Sequence, residues 1–156
     1  MSSYKTVIVK GNPLTKEAEA GEAITPGHLV TLDSSNELIK HATAGGNAIP
    51  RFAIENSDIG DDVDDAYADG DNAKYVVARR GDEIQALLAA SQTIVIGDAL
   101  VSNGDGTLKK YSAETITLAT GTETLDETIY DTTIVGYALE ANASSSAGDK
   151  LLIEAA

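Results

Sequence analysis

Cysteine and tryptophan are absent from the 156 residues, methionine and phenylalanine occur once each, and histidine twice. Each shortage excludes some chemistry. Without cysteine there are no disulfides, no thiolate metal ligands and no thiol nucleophile. Two histidines cannot make a three-histidine zinc site, and they leave a His–carboxylate triad only two possible bases. Six Tyr and one Phe are the whole aromatic supply, so a core built from the 42% hydrophobic residues must be aliphatic. Nothing approaches the ~20 apolar residues of a membrane-spanning helix. Met1 to Lys16 offers only Val7-Ile8-Val9 as an apolar cluster, too short for a secretory leader. Positive charge is scarce as well: 11 Lys and Arg against 25 Asp and Glu, for a formal charge of −14. Such a chain repels free nucleic acid and anionic membranes. The composition predicts one soluble acidic domain, or two small lobes sharing a core, and argues against an enzyme.

What is present is β-rich. Short runs of Val, Ile, Thr and Tyr, bounded by Gly, Asn, Asp and Ser, predict strands near Tyr4–Val9, Leu29–Leu32, Leu38–His41, Arg51–Glu55 and Lys74–Arg79. Further runs are Thr93–Ile96, Ala99–Ser102, Leu108–Lys110, Thr115–Leu118, Ile134–Leu139 and Leu151–Glu154. Their even spacing predicts a closed barrel or a sandwich. Glu17–Glu22 has helix formers but no apolar face and reads as linker. Glu83–Ala90 has helix-like composition, yet its bounding Gly81-Asp82 and Ser91 favour a strand.

An internal repeat is also visible. Gly27–Ala42 aligns without a gap on Gly97–Ser112, placing Gly27 on Gly97, Val30 on Leu100, Leu38 on Leu108 and Lys40 on Lys110. A second match follows, Phe52-Ala53-Ile54-Glu55 on Tyr137-Ala138-Leu139-Glu140. The repeated unit reads as a β-hairpin: an opening turn at Gly, an apolar strand, a polar turn and a return strand ending in Lys. Two related β lobes are expected. The second copy carries an extra Thr-rich stretch from Glu114 to Thr133.

Candidate chemistry is sparse. The acidic run Asp58 to Asp71 invites a calcium reading. Counted from Asp65, however, Tyr67 and Val76 stand where an EF-hand needs oxygen ligands. A solvated loop with a short helical turn near Asp64–Ala68, pinned by Tyr67, is the simpler reading, and a looser calcium site stays open. His28 and His41 could meet across a hairpin, but their repeat counterparts, Asp98 and Tyr111, suggest no shared reaction. Arg79-Arg80 reads as surface ion pairing. No nucleophile elbow, zinc motif or P-loop occurs, and Gly104-Asp105-Gly106 sits between strands rather than before a helix. The first 16 residues carry three lysines and no acid, so an arm of +3 precedes a body of −17.

Taken in order, several elements resemble the small capsid decoration (cement) proteins of tailed bacteriophages. They are Pro26-Gly27-His28-Leu29-Val30, the Ile59–Asp71 stretch, Arg80–Leu87, Gly97–Val101, Gly104–Leu108 and Ile134–Glu140. The resemblance covers about Gly21 to Glu154. It implies an all-β fold: a small barrel or β-tulip-like body over 23–156 with two related hairpin units, behind an extended N-terminal arm and linker over 1–22. It implies a virion protein, made in the host cytoplasm, on the outer surface of an expanded head. Its partners would be the major capsid protein, whose neighbouring subunits it bridges, and itself, as a homotrimer at local three-fold positions. Such a protein needs no catalytic group, cofactor or metal, and touches neither nucleic acid nor membrane. The arm alternates, so Tyr4, Lys5, Val7, Ile8, Val9 and Lys10 are the expected capsid or neighbour contacts, as a strand lent to another sheet edge. Pairing within its own chain remains the other possibility. Another virion or surface β-module, a fibre or carbohydrate-binding domain, is the alternative reading, although few aromatics are available for a sugar platform.

Overall fold

The computed structural model describes residues 4–112 and 134–156, all of them strand, turn or loop, with no helix among them. The expected strand Thr115–Leu118 and the whole of the Thr-rich stretch from Glu114 to Thr133 lie outside the described residues. Among the described residues eleven strands follow in order: β1 Ile8–Lys10, β2 Leu14–Glu19, β3 Val30–Leu32, β4 Leu38–Lys40, β5 Arg51–Ala53 and β6 Asn72–Val77. They continue as β7 Glu83–Leu88, β8 Ala99–Ser102, β9 Leu108–Lys110, β10 Ile134–Ala138 and β11 Asp149–Ala155.

The last five strands close a barrel. Antiparallel pairings run β7–β11–β10–β8–β9, and one parallel pair, Leu88 with Leu108, joins β9 back to β7. The preceding five make the same ring. Here β2–β6–β5 pair antiparallel, Leu29 bridges β3 to Phe52, β3 pairs with β4, and a parallel Ala20–Leu38 bridge returns to β2. The all-β barrel expectation therefore holds, with each repeat forming its own ring.

The duplication extends to individual bonds. The hairpins share a register: Val30 opposite Lys40 and Leu32 opposite Leu38 match Leu100 opposite Lys110 and Ser102 opposite Leu108. The Gly27 N–H donates to the Ala53 carbonyl and the Ala53 N–H to the His28 carbonyl, at 2.8 and 3.0 Å. Gly97, Ala138 and Asp98 repeat this at 2.8 and 2.9 Å. Gly21 N–H to Leu38 carbonyl is matched by Ala89 N–H to Leu108 carbonyl. Inside the rings Ile24, Val30, Leu38 and Tyr75 form one buried cluster, where Ile94, Leu100, Leu108 and Ile153 stand in the other. The second cluster also takes in Leu29, Phe52, Ile54 and Val76 of the first lobe. One lobe's outer face is thus buried against the other.

Three expectations need correction. Glu17–Glu22 is not a linker, because β2 lies along all of β6 and backbone pairing outweighs its poor β-propensity. Thr93–Ile96 is not a strand: Ile94 makes a single bridge to Asn142, and Val95-Ile96 begin the turn that Gly97 closes at φ 89°. The arm is not detached from its own body. Ile8 pairs with Ile84 and Lys10 with Glu83 on β7, Gln85 N–H donates to the Val7 carbonyl at 2.8 Å, and Val7 is 1% exposed in the core.

Removing residues 1–12 should therefore lower the melting temperature of the whole chain. Val7→Ala alone should cost about 2 kcal/mol, whereas Tyr4→Ala, at an exposed position, should change stability by less than about 0.5 kcal/mol. Denaturant melts of the three variants would check this ordering.

Candidate functional site

The loops that could have carried chemistry are occupied by structural bonds. Five turns share one design: Thr25–His28, Ala68–Asp71, Arg79–Asp82, Val95–Asp98 and Ser146–Asp149. In each, the fourth N–H donates to the first carbonyl, and a glycine at the third position has φ between 82° and 93°. The side chain of the fourth residue then accepts the first residue's N–H at 2.7–3.0 Å. Glycine meets the positive φ and the carboxylate satisfies an otherwise orphaned amide just as the chain enters β6, β7, β8 or β11. Asp82 is buried and also accepts the Asn12 N–H at 3.2 Å, so it ties the N-terminal segment to the same turn.

His28 fills this position in the first lobe, its Nδ1 accepting the Thr25 N–H at 3.0 Å. Its counterpart Asp98 does the same for Val95 at 2.9 Å. The two do share a role after all, a structural one. Burial pushes the His28 pKa down from 6.5 to about 4; Lys40 adds to this, while Asp105 and Glu22 oppose it. His41 is buried between the Ser102 Oγ (2.8 Å from Nδ1) and the Asn47 carbonyl (2.9 Å from Nε2). A carbonyl only accepts, so Nε2 carries the proton and Nδ1 accepts from the serine hydroxyl. The two imidazoles hold backbone turns together.

The acidic loop is pinned as expected by Tyr67, whose hydroxyl donates to the Ile54 carbonyl at 2.7 Å, and also by buried Val63. The expected helical turn is instead an Asp-rich turn, with Asp62 Oδ1 accepting the Asp64 N–H and Asp65 Oδ2 the Asp62 N–H. Asp58 and Asp64 pair with Lys74 and Lys150, and the Lys150 hydrogen bond holds the Asp64 carboxyl below the ordinary range. Among the described residues no group of three His, Cys, Asp or Glu is arranged to hold a metal ion. Arg79 and Arg80 are exposed and, among the described residues, make no ion pair.

Of the six arm residues, Tyr4, Lys5 and Lys10 are exposed, Ile8 and Val9 are half-buried, and Val7 faces the core. Lys10 Nζ lies 3.1 Å from Glu83 Oε1. A second surface was missed in the sequence. Tyr137 stands opposite Ala99, and the Tyr111 N–H donates to the Ala99 carbonyl, so the two tyrosines flank Ala99 in one row. Val95 and Ile96 open the adjoining turn. All four large side chains are exposed, Ile96 by 69%. In the first lobe the matching row, Phe52–Leu29–His41, is buried. The repeat alignment already paired these residues, but burial by the other lobe is not written in local pattern.

Acid should expose the His28 turn. The unfolded imidazole takes a proton near 6.5 and the folded one only near 4, so its contribution is complete above 6.5 and is lost as pH falls between them. The loss is at most about 3 kcal/mol. Asp64 and Asp98, held low by Lys150 and Lys110, lose theirs only below their ordinary 3.8. His28→Asn keeps an acceptor that cannot protonate, so melts of this variant should be flat across the same window.

No family model matches the chain, and no curated protein matches it. Solved structures do. The head fibre gp8.5 N base of bacteriophage phi29 is similar over 92% of this chain and 93% of that chain, with a TM-score of 0.54 and 15% identity. At that identity the likeness is one of fold, and it spans both lobes: the chain is built on the same backbone plan as that head-fibre base.

Proposed function

We propose that this chain is a structural protein of a tailed-phage virion, a decoration protein on the outer surface of the expanded head that bridges neighbouring major capsid subunits. The observation that carries the reading is the end-to-end fold likeness to a phage head-fibre base. The residue order that resembles capsid decoration proteins supports it independently. The placement of His28 and His41 in backbone turns agrees with a binding protein rather than an enzyme. Binding that favours the assembled shell over free subunits stabilises the shell by linkage and needs no catalytic group. The exposed arm residues Tyr4, Lys5 and Lys10, with Ile8 and Val9 beside them, are the proposed shell contacts. Val7 contributes by holding β1 in place.

A second reading rests on the same neighbour: the chain is a fibre base that anchors a projection to the head. The two differ in what the head loses. Virions lacking the protein, made from the phage that encodes it, should show heads that burst at lower temperature. Added protein should co-sediment with expanded heads, restore the lost stability, and ignore precursor heads. Heads of unchanged stability that lack projections would favour the fibre base. Failure to bind any head would overturn both readings.

A further inference from the structure

We propose that copies of this chain associate head to tail, the Gly97 end of one second lobe docking on the β2 edge of the next copy's first lobe. This would repeat, between chains, the contact that the two lobes make within one. The inference stands on the duplication and does not depend on a role at a phage head.

The contact within the chain has defined parts. Three outward amides of β7 are taken in turn: Gln85 by the Val7 carbonyl, Leu87 by the Gly27 carbonyl at 3.1 Å, and Ala89 by the Leu108 carbonyl. Gly27 is buried there, and a Cβ on it would stand 3.1 Å from the Gln85 carbonyl oxygen and from Leu87 Cγ. Alongside, the Leu29 N–H donates to the Gly106 carbonyl at 2.7 Å, so the tip of the second hairpin is held at the mouth of the first.

Each of these parts has a counterpart, and all but the Gly21 amide are left open among the described residues. On β2, Ala20 bonds towards β6, which turns the Glu17, Glu19 and Gly21 amides outward. Gly21 reaches Leu38, as Ala89 reaches Leu108. Glu17 and Glu19 match Gln85 and Leu87, and among the described residues nothing takes the place of the Val7 and Gly27 carbonyls. Gly97 matches Gly27 with the same positive φ, yet it is exposed and a Cβ on it would meet nothing within 4 Å. Ala99 matches Leu29 without a partner for its N–H among the described residues. Asn36 matches Gly106, also has positive φ (64°), and is exposed at the tip of the first hairpin.

Among the described residues one chain thus presents an unfilled edge on its first lobe and an unfilled docking face on its second. The face carries Val95, Ile96, Tyr111 and Tyr137, all exposed, with Lys109 and Lys110 on the neighbouring strand. The edge carries Glu17 and Glu19, of opposite sign. Because different surfaces meet, the contact is heterologous, and it closes a ring or extends according to its rotation. The overall charge of −14 opposes approach, so salt should strengthen association by screening it.

Sedimentation of the full chain tests this. The wild-type chain should self-associate, more so in high salt. Glu19→Pro deletes one outward amide while the β2–β6 ladder, which runs through the alternate residues, remains. Ile96→Glu charges the docking face. Each variant alone should be monomeric with an unchanged melt. Mixed in equal amounts they should form a one-to-one pair that grows no further, since each keeps one intact surface. Ile96 is 69% exposed, so its loss of association decides the matter alone should Glu19→Pro not fold. A wild-type chain that stays monomeric at millimolar concentration in high salt overturns the proposal. So does a mixture that stays monomeric, or a monomer whose Glu19→Pro variant merely loses occupancy on heads, which would give the edge to a shell segment.

Discussion

A barrel of five short strands has one weak seam, where its first and last strands must meet in parallel. In the second lobe that seam is a single residue pair, Leu88 with Leu108. The rest of the outer edge of β7 would be bare backbone, facing a core that cannot offer it water. Buried amides without partners cost about 1–3 kcal/mol each. The chain covers them with segments from elsewhere: the Val7 carbonyl from the N-terminal strand and the Gly27 carbonyl from the first lobe's opening turn. Filling this edge holds β1 to the body and forces glycine at position 27. It also sets the distance between the lobes, so Phe52 and Leu29 are buried against the barrel instead of facing solvent.

The same physics explains the spread of Gly-Asp turns. Short strands give the chain many entrances to a sheet, and each entrance leaves an amide unpaired. A carboxylate at the fourth turn position accepts it locally, without help from tertiary contacts. This gives several of the aspartates a structural role without any ligand. Asp71, Asp82, Asp98 and Asp149 cap turns, while Asp58 and Asp64 neutralise Lys74 and Lys150. Where histidine stands at position 28, only the neutral imidazole can accept the Thr25 N–H, and burial together with Lys40 favours that form.

How much of this was legible depends on whether the signal is local. The hairpins at 30–40 and 100–110 are written in apolar runs around polar turns, and the gap-free repeat carries even their register. Strand β7 was legible for the same reason, bounded by Gly81-Asp82 and Ser91. Strand β2 was not: Leu14–Glu19 exposes most of its side chains and owes its shape to backbone bonds with β6, which leave no trace in side-chain pattern. Val7 and Val9 look alike in sequence, yet only Val7 is fully buried. Tyr137 and Phe52 occupy equivalent positions, and only the neighbouring lobe makes one of them core. Periodicity finds strands; it does not say which face a second body will cover.

Duplication turns this last ambiguity into information. Two copies of one unit begin with the same surfaces, so any face buried in one copy and bare in the other marks where the environment differs. Here the differences are paired. Phe52–Leu29–His41 is covered and Tyr137–Ala99–Tyr111 is not; among the described residues the β7 edge is filled and the β2 edge is not. Val95 and Ile96 are exposed apolar residues beside that bare row, and a Cβ on Gly97, unlike one on Gly27, would meet nothing within 4 Å. The proposed head-to-tail contact would cover these groups, so that the second lobe would meet what the first lobe already has.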